Sequence, residues 1–375
     1  MNKEQQTDLK LLVLNSGSSS IKYSLFKVVK LFKDRKERDL VPVTSGHIER
    51  IGQEGSNIKN HKQAIEHVLE LVTGDNSHKN IDIVGHRVVH GGEYFRKSTL
   101  ITKDVLSKIK NCSKLAPLHN PANIAGIEAC QVLLPGVPQV AVFDTAFHQT
   151  IPPRAYHYAI PMKYYRKYNL RKFGFHGMSH QYVAREASKI LKKPLSQLKL
   201  ITCHLGNGCS ICAIKKGISV DTSMGFTPLA GLMMGTRSGD IDAAAVLYIL
   251  QREKITPLEM ETILNKQSGL KGISGVSNDM RLLEQASKKG NHRAKLAISM
   301  FSYSIRKYIG SYMAIMGGVD AVIFTAGIGE HVKIKKMISY GITKFLKKLN
   351  VKFLVIHTNE ELMIAQEATA LVGGR

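Results

Sequence analysis

The sequence predicts an internally duplicated fold of two domains, and three observations predict it. The chain has 375 residues, roughly two domains' worth of polypeptide, and 43% of them are hydrophobic, enough for a core in each. A strand–turn–strand pattern, LLVLNSGSSSIKYSLF at 11–26, returns about half a chain later as LKLITCHLGNGCSICAIKKGISV at 198–220. Duplication is the economical explanation of this repeat.

The first of these hairpins has an unusually small tip. KLLVL at 10–14 is typical of a short buried strand, and apolar residues alternate with polar ones from Ile21 to Leu25. Between them, Asn15 to Ser20 offer hydroxyls and an unobstructed backbone at Gly17, with Lys22 just beyond. A P-loop is excluded, because it runs from strand to helix and needs a Gly-Lys dipeptide that this sequence lacks. The tip is therefore either a plain hairpin turn or a phosphate-handling turn.

The second hairpin repeats this arrangement, and a third glycine stretch follows later. An apolar strand from Leu200 to Cys203 leads to the tip Gly206-Asn207-Gly208 and a second strand. Two phosphate-handling turns would border a cleft between domains, where ligand sites commonly lie. DAVIFTAGIGEH at 320–331 begins as Gly-x-Gly but lacks the third glycine of the dinucleotide fingerprint. Its bare backbone could instead lie against the base or sugar of a nucleotide.

The chain is strongly basic, with 53 Lys and Arg against 29 Asp and Glu and a formal charge of +24. Such a balance attracts anions of every kind. The basic stretches at 27–38, 163–172 and 333–336 are scattered, which favours solvated surface charge. Tyrosines interleaved with bases at 163–172 would also suit single-stranded nucleic acid. Nucleic-acid binding is not expected, because no RRM or helix-turn-helix signature accompanies them.

The sequence also predicts the compartment. MNKEQQTD at 1–8 is polar with no apolar segment behind it, and no run of 18 uncharged apolar residues occurs, so we expect neither a signal peptide nor a membrane span. The cysteines are odd in number and unevenly spread, which favours reduced thiols: Cys112, Cys130, Cys203, Cys209 and Cys212. We expect a cytoplasmic protein.

Nine stretches of the sequence resemble, in order, the motifs of the acetate kinase family. They are NSGSSSIKYSLF, VGHRVVHGGE, LAPLHNPANIAGIEA, VAVFDTAFHQTIP, FGFHGMSHQYV, HLGNGCS, DTSMGFTPLAGLMMGTRSGDID, FTAGIGE and TNEEL, and they run from 15 to 362. The resemblance implies an α/β fold of two duplicated actin-like (ribonuclease H-like) domains around an interdomain nucleotide cleft. It places residues 1–152 and 361–375 in one domain and 153–360 in the other.

The resemblance implies reversible transfer of the ATP γ-phosphoryl group to acetate, giving acetyl phosphate and ADP with Mg²⁺ or Mn²⁺. A carboxylate is already ionised at neutral pH, so the reaction needs cationic groups and neutral donors and no base. Within the same class, a propionate or butyrate kinase is the alternative. From other classes, a basic nucleic-acid-binding protein or an inactive scaffold remains open. The resemblance also implies a homodimer that acts on small molecules and has no membrane partner.

The resemblance assigns the catalytic and acceptor-binding residues. Arg87 and Arg237 each lie among glycines, where a bidentate guanidinium can reach carboxylate or phosphoryl oxygens. Asp144 would hold the metal ion through water or orient an arginine. The catalytic set is Asp144, Arg87, His176 and Arg237, and the acceptor-binding set is Arg87, Val89, Leu118, Phe175 and Pro228. Residues at the moving phosphoryl group are Asn15, Ser18, Ser20, Lys22, His119, His176 and Arg237.

Nucleotide and metal sites are implied in the same way. Nucleotide-binding residues are Lys22, His204, Leu205, Gly206, Asn207, Gly208, Asp279, Met280, Arg281, Gly327, Ile328, Gly329 and His331. Asn15 and Glu360 are the metal-associated pair, and Glu360 would also suit the start of a helix. Met280 replaces the family's usual aromatic residue and His331 its usual asparagine, and the segment after residue 340 is shorter than the family norm.

Two further patterns are weighed against metal or redox sites. His176 and His180 have the spacing of a helical metal pair, but no glutamate accompanies them as in H-E-x-x-H, and Gly177 weakens a helix there. Cys209 and Cys212 form a lone CxxC whose members would point to opposite faces of a strand. We therefore do not expect a metal pair at His176 and His180, and we interpret Cys209 and Cys212 as core or surface thiols.

Overall fold

The computed structural model describes residues 9–29, 39–74, 80–331 and 348–373. Contacts divide the chain into an N-terminal unit, Met1–Phe147 with Asn359–Arg375, and a C-terminal unit, His148–Thr358. Residues 30–38 and 333–336 of the basic stretches, and 341–347 of the shortened segment, lie outside the described residues. The boundaries expected after residues 152 and 360 stay a prediction.

The described helices and strands follow one another in short runs along the chain. In chain order they are α1 His61–Thr73, α2 Lys103–Asn111, α3 Asn120–Leu133, α4 Pro153–Tyr156, α5 Lys163–Tyr168, α6 Gly177–Leu191, α7 Ala243–Glu253, α8 Pro257–Thr262, α9 Gly269–Ser274, α10 Met280–Lys288, α11 His292–Met316, α12 Ala326–Gly329 and α13 Glu360–Val372. None of the helices in the described ranges is long and apolar enough to cross a membrane.

The N-terminal unit is built on a six-stranded sheet. Its strands are β1 Leu9–Ser16, β2 Ile21–Val29, β3 Asp39–Ile48, β4 Ile83–Val88, β5 Thr99–Leu100 and β6 Gln139–Phe143. They lie in the order β3-β2-β1-β4-β6-β5. The first three form an antiparallel meander, β4 and β6 join in parallel, and β5 is a short antiparallel edge.

The N-terminal core forms because the central strands are apolar on both faces. Leu12 and Leu14 of β1 pack in one cluster with Ile65 and Leu69 of α1. Helix α13 packs against β1 and β4. At Gly85, a β-carbon would lie 2.7 Å from Cγ2 of Ile364, so a larger residue there would push α13 away from the sheet.

The C-terminal unit is built on a five-stranded sheet. Its strands are β7 Lys199–Leu205, β8 Cys209–Lys215, β9 Ile218–Thr222, β10 Ala321–Thr325 and β11 Lys352–Val355, in the order β11-β10-β7-β8-β9. Strands β7 to β9 form an antiparallel meander, and β10 and β11 join in parallel. Helices α6 and α11 pack against β7.

The two sheets share one topology. In each, a three-stranded meander is followed by two strands that add in parallel beside its first strand. Both predicted hairpins are confirmed, since Asn15 pairs with Lys22 in the first and Leu205 with Cys209 in the second. This mixed α/β architecture with two sheets is the one expected of two actin-like domains.

Candidate active site

Three parallel strands of the N-terminal unit end in polar side chains at one edge of the sheet. Asn15 is the penultimate residue of β1, Arg87 that of β4, and Asp144 directly follows β6. The carboxyl ends of parallel strands are the usual place for ligand sites in open α/β sheets. Glu360, the first residue of α13, joins this cluster.

Arg87 is the centre of the cluster. Its guanidinium donates two hydrogen bonds to Asp144, from Nε to Oδ1 at 3.0 Å and from Nη2 to Oδ2 at 2.7 Å. Its Nη1 donates to Oδ1 of Asn15 at 3.3 Å and lies 3.8 Å from Oε2 of Glu360. Because two parallel N–H bonds fix a guanidinium in its plane, the orientation of Arg87 is set before any ligand binds.

Burial and charge shift the pKa values in this cluster. Burial lowers the pKa of Arg87, but the charges of Asp144 and Glu360 outweigh it and the net pKa is raised. Burial raises the pKa of Glu360, Arg87 lowers it, and Asp144 raises it further, with a net increase. The cation is therefore permanent, and Glu360 is more readily protonated than a surface glutamate.

Helix α3 holds the backbone around Arg87 through two asparagines that sequence reasoning missed. Nδ2 of Asn123 donates to the Ser16 carbonyl at 2.6 Å, and Oδ1 of Asn123 accepts from Val89 N–H at 3.0 Å. Asn120 exchanges two hydrogen bonds with the backbone of His90, at 3.0 and 2.9 Å. The signal was present in HNPAN, where both asparagines are buried in the first turns of α3.

The tip of the first hairpin is held by its own backbone. The Gly17 N–H donates to the Ser20 carbonyl at 2.7 Å, and the Gly17 carbonyl lies 2.7 Å from Nε2 of His61. Ser18 and Lys22 are exposed, while Ser20 is half-buried. Lys22 is close enough to Glu360 to lower that residue's pKa, which ties this hairpin electrostatically to the Arg87 cluster.

The remaining predicted residues of the N-terminal unit differ in their settings. Val89 is half-buried and held by Asn123. Leu118 is 57% exposed, so its apolar side chain faces mostly away from the core. His119 is the residue directly before α3 and is half-buried.

The second hairpin gathers a histidine and an arginine around one glycine. A β-carbon at Gly208 would lie 3.2 Å from Nη1 of Arg237 and 3.6 Å from Nε2 of His176. The turn is closed by the Gly206 N–H, which donates to the Gly208 carbonyl at 3.1 Å. The absence of a side chain at Gly208 thus leaves room beside two potential donors.

The same tip is anchored to neighbouring loops. The Asn207 carbonyl accepts from the Gly235 N–H at 3.0 Å, and Oδ1 of Asn207 accepts from Nδ2 of Asn278 at 3.0 Å. A β-carbon at Gly235 would lie 2.2 Å from that Oδ1. A larger residue at 235 would therefore displace the Asn207 side chain at this tip.

Arg237 differs from Arg87 in its partners. Its Nη1 donates to the Pro228 carbonyl at 3.1 Å and lies 3.8 Å from the sulfur of Met234. Within the described ranges, no carboxylate forms an ion pair with it. Burial lowers its pKa, the mark of a cation deprived of water. Such a group gains from an incoming anion.

Three histidines near this tip, His176, His180 and His204, lie in different settings. His176 precedes α6 with a left-handed φ of 56°, whereas His180 lies inside that helix and is fully buried. Gly177 begins a helix of 15 residues, so the helix expected to be weak there is present. The rings of His176 and His204 stack with centroids 4.1 Å apart. Across the described residues, no group of three His, Cys, Asp or Glu could hold a metal ion.

Phe175 lies in the core of the C-terminal unit, with 2% of its surface exposed. Its carbonyl accepts from Nε2 of His148 at 3.0 Å, while Nδ1 of His148 lies 2.9 Å from the hydroxyl of Ser219. Pro228 is half-buried and is tied to Arg237 through its carbonyl. The bond from His148 holds the backbone directly before His176.

The predicted adenosine residues lie at the starts of two helices. Asp279 caps α10, accepts the Arg281 N–H at 2.8 Å, and forms a two-bond pair with the Arg281 guanidinium at 3.2 and 2.7 Å. Hydrogen bonds from Arg281 lower the pKa of Asp279 to about 2. Met280 is 5% exposed and packs inward.

The late glycine stretch forms a single helical turn, α12, directly after β10. Gly327 is exposed, and a β-carbon there would meet no atom within 4 Å, so the backbone lies open. Ile328 is half-buried and Gly329 buried. Nδ1 of His331 lies 3.8 Å from Oε1 of Glu284, an ion pair when the imidazole is protonated.

The cysteines are free and buried, as predicted for reduced thiols. Cys209 and Cys212 are both fully buried on β8, because both faces of that strand are covered. Burial raises the pKa of each of the five thiols. The CxxC pattern is therefore part of the core.

Comparison with known proteins identifies the family. The profile of the Acetokinase family matches residues 10–366. Acetate kinase of Caldicellulosiruptor saccharolyticus is 51% identical over 397 aligned residues, which cover 97% of this chain and all of that one. The crystal structure of Porphyromonas gingivalis acetate kinase superposes with a TM-score of 0.88 at 40% identity, covering 97% of this chain and 100% of the other.

A propionate kinase structure from Francisella tularensis is also similar, with a TM-score of 0.83, 43% identity and coverage of 96% and 99%. Together with the two shared sheets, these likenesses confirm the predicted α/β fold of actin-like domains. The match spans nearly the whole chain and well exceeds what a shared fold alone requires. This chain therefore belongs to the Acetokinase family, kinases that transfer a phosphoryl group to a carboxylate.

Proposed function

We propose that this protein catalyses reversible transfer of the γ-phosphoryl group of ATP to acetate, giving acetyl phosphate and ADP. The observation that best supports this proposal is the hydrogen bonding of Asp144. Both of its oxygens accept hydrogen bonds from Arg87 at 3.0 and 2.7 Å, so it is engaged as an orienting anion and not as a base. An acceptor that is already ionised, such as acetate, needs no base.

The proposed step is a direct in-line displacement. An acetate oxygen attacks the γ-phosphorus, one P–O bond forms, and the bond to the β–γ bridging oxygen breaks, leaving that oxygen on ADP. Negative charge spreads over the equatorial oxygens of the moving group. Arg237 and the Nε2 side of His176 adjoin Gly208 and would stabilise that charge as fixed donors.

We assign the acceptor to Arg87, whose plane Asp144 sets, with Val89, Leu118, Phe175 and Pro228 around its methyl end. Asn15, Ser18, Ser20, Lys22 and His119 are assigned to the phosphoryl group. These roles are proposals from the family resemblance. The pairing of Arg87 with Asp144 supports the first of them, because it holds the guanidinium ready for a bidentate anion.

The metal ion is assigned to Asn15 and Glu360, which fit Mg²⁺ by their chemistry. Each presents an oxygen to Nη1 of Arg87, at 3.3 and 3.8 Å. Mg²⁺ prefers one or two protein oxygens completed by water and phosphate; Mn²⁺ has similar ligand preferences. Bound there, the ion would neutralise charge on the nucleotide phosphates.

The nucleotide is assigned to the second hairpin and to the starts of α10 and α12. His204, Leu205, Gly206, Asn207 and Gly208 would face the phosphates. Asp279, Met280, Arg281, Gly327, Ile328, Gly329 and His331 would surround adenosine. Because Met280 is buried, we propose that the base rests on the open backbone at Gly327 and not on a side chain at 280.

An acetate kinase and a propionate kinase differ in the size of the acceptor acid. The likeness to a propionate kinase structure keeps propionate as the second candidate acceptor. One methylene in an apolar pocket changes discrimination by only about 1–3 kcal/mol. Activity on both acids, with acetate preferred, is the outcome we expect.

A homodimer is supported by helix α7. Its sequence, AAAVLYILQRE, is strongly apolar, yet none of its residues is buried. Leu247 and Tyr248 are 59% and 58% exposed, and Ile241 beside the helix is 45% exposed. Apolar surface of this density usually marks an interface. A cytoplasmic location is supported by the free thiols, which suit a reducing compartment.

The test is capture of the acyl phosphate as its hydroxamate with Mg-ATP and a panel of acetate, propionate and butyrate. We expect product with acetate and with propionate, and little with butyrate. Absence of product from every acid would favour the scaffold alternative. Tight, salt-dependent binding to single-stranded nucleic acid would favour the other alternative.

A further inference from the structure

A hydrogen-bonded chain of three buried polar side chains ends at His176. The mechanism proposed above gives these three side chains no role. The chain begins at Thr202 of β7, whose Oγ1 lies 2.7 Å from Nδ1 of His180. Nε2 of His180 lies 2.7 Å from Oγ of Ser210 on β8. The same Oγ lies 2.9 Å from Nδ1 of His176. Thr202, His180 and Ser210 are each fully buried.

The serine limits where the protons can be. Ser210 carries one hydroxyl proton and faces two ring nitrogens. A hydroxyl can donate to one nitrogen and must then accept from the other. Either His180 donates and His176 accepts, or the reverse.

The threonine decides between the two arrangements. Burial lowers the pKa of His180 well below its ordinary value, and His148 and His204 lower it further, so its ring is neutral and has one proton. Nδ1 of His180 is the hydrogen-bond partner of the Thr202 hydroxyl among the described residues. If Thr202 donates to Nδ1, the ring proton of His180 is on Nε2 and points at Ser210.

In the reverse arrangement, Nδ1 of His180 donates to Thr202. The threonine proton would then have no acceptor among the described residues, and a buried donor without an acceptor is destabilising. The first arrangement satisfies every group in the chain, and each hydrogen bond polarises the next in the same direction.

We propose that Thr202, His180 and Ser210 are positioning residues that fix His176 as its Nε2–H tautomer, with the donor on the side that adjoins Gly208. Protons are donated in one direction, from Thr202 to His180, to Ser210 and to Nδ1 of His176. His176 then offers an N–H to the moving phosphoryl group in every turnover, without tautomer exchange. This role rests on the proposed phosphoryl transfer, but the tautomer itself does not.

The tautomer can be read directly. Long-range ¹H–¹⁵N spectra of histidine-labelled protein distinguish protonated from unprotonated ring nitrogens, with signals assigned from single histidine variants. We expect His176 and His180 both as Nε2–H in the intact protein, and His176 as a mixture in Ser210→Ala. His176 found as Nδ1–H, or unchanged in Ser210→Ala, would overturn the proposal whether or not the protein is a kinase.

Kinetics test the consequence with a matched pair at Thr202. Thr202→Val keeps the shape and loses the hydroxyl, whereas Thr202→Ser keeps the hydroxyl and loses a methyl group. We expect kcat for acyl phosphate formation to fall about threefold in the valine variant and about tenfold in Ser210→Ala, with KM values unchanged. Thr202→Ser should retain the full kcat.

Ser302→Ala is the control for loss of a buried hydroxyl elsewhere, since Ser302 donates to the Ile298 carbonyl inside α11. It should leave kcat unchanged. Equal losses of kcat in Thr202→Ser and Thr202→Val, or a change confined to KM, would contradict the proposal. Either result would show that these side chains contribute only to core packing. If Ser210→Ala does not fold, the threonine pair alone decides.

Discussion

The two arginines of this protein lie in comparable motifs but in opposite electrostatic settings. Arg87, in the N-terminal unit, forms a two-bond pair with Asp144 and lies near Glu360. Arg237, in the C-terminal unit, contacts a carbonyl oxygen and a sulfur, and no carboxylate of the described residues pairs with it. The charge of Arg87 is paired within the fold, whereas Arg237 has no carboxylate partner among the described residues.

The two settings predict different effects of each arginine on stability. A buried ion pair is costly to break, because the partner is left as an unpaired charge. A partly buried cation without a carboxylate partner costs stability and is retained where function needs it. Activity alone would not separate the two arginines, whereas activity and stability measured together would.

The largest expected effect is on turnover in Arg237→Ala. We expect kcat to fall roughly a thousandfold, as for loss of a cationic transition-state donor. The melting temperature should stay unchanged or rise, because a desolvated charge is removed. The hydroxamate assay and calorimetry on the same sample check both. A melting temperature well below that of the parent would show that Arg237 is a structural residue.

Arg87→Ala should lower both turnover and stability. Turnover is expected to fall roughly a hundredfold or more, and the free energy of unfolding by about 3 kcal/mol, because Asp144 becomes a buried unpaired carboxylate. Urea unfolding gives the second value. Near-normal turnover in a folded Arg87→Ala protein would contradict the mechanism, and normal stability would contradict the comparison.

Adding Asp144→Asn to Arg87→Ala should recover stability but not activity. The amide is uncharged, so the cost of burying an isolated carboxylate disappears. We expect the double variant to be more stable than Arg87→Ala, with a coupling energy of about 1–3 kcal/mol in the double-mutant cycle. Strict additivity of the two single changes would mean that the two side chains do not depend on each other in solution.

The smallest effect is the pH dependence of Glu360→Gln. The pKa of Glu360 is raised above its ordinary value of 4.5, so the folded protein retains this proton to higher pH than the unfolded chain. The resulting cost is absent below the ordinary pKa and grows as the pH rises through the folded one. We expect the melting temperature of the variant, relative to the parent, to increase with pH over that window. A constant difference would exclude the raised pKa.

Sequence reasoning predicted the fold well because the relevant signals are local. Each hairpin is encoded in one continuous stretch, 11–26 and 198–220. The repetition of this pattern predicted the duplication that the two sheets display. Asp144 was recognised as following an apolar strand, and it does. The functional roles of these residues stay predictions.

What sequence reasoning missed depends on distant pairs and side-chain direction. Asn123 reaches the Ser16 carbonyl across more than a hundred residues, and His180 meets Ser210 from a different element. Spacing indicated His180 only as a metal-pair candidate, because pattern rules compare neighbours on one helix. His180 and Ser210 meet because α6 packs against β7, the strand that pairs with β8.

The buried thiols allow local opening of the native protein to be measured by alkylation. Cys112 and Cys130 lie in the N-terminal unit and Cys203, Cys209 and Cys212 in the C-terminal unit. Because thiolate is the reactive form and all five are inaccessible in the closed fold, an alkylating reagent can modify each one only when its surroundings open. Peptide mapping of alkylation over time would therefore give an opening free energy for each unit separately, with no added label.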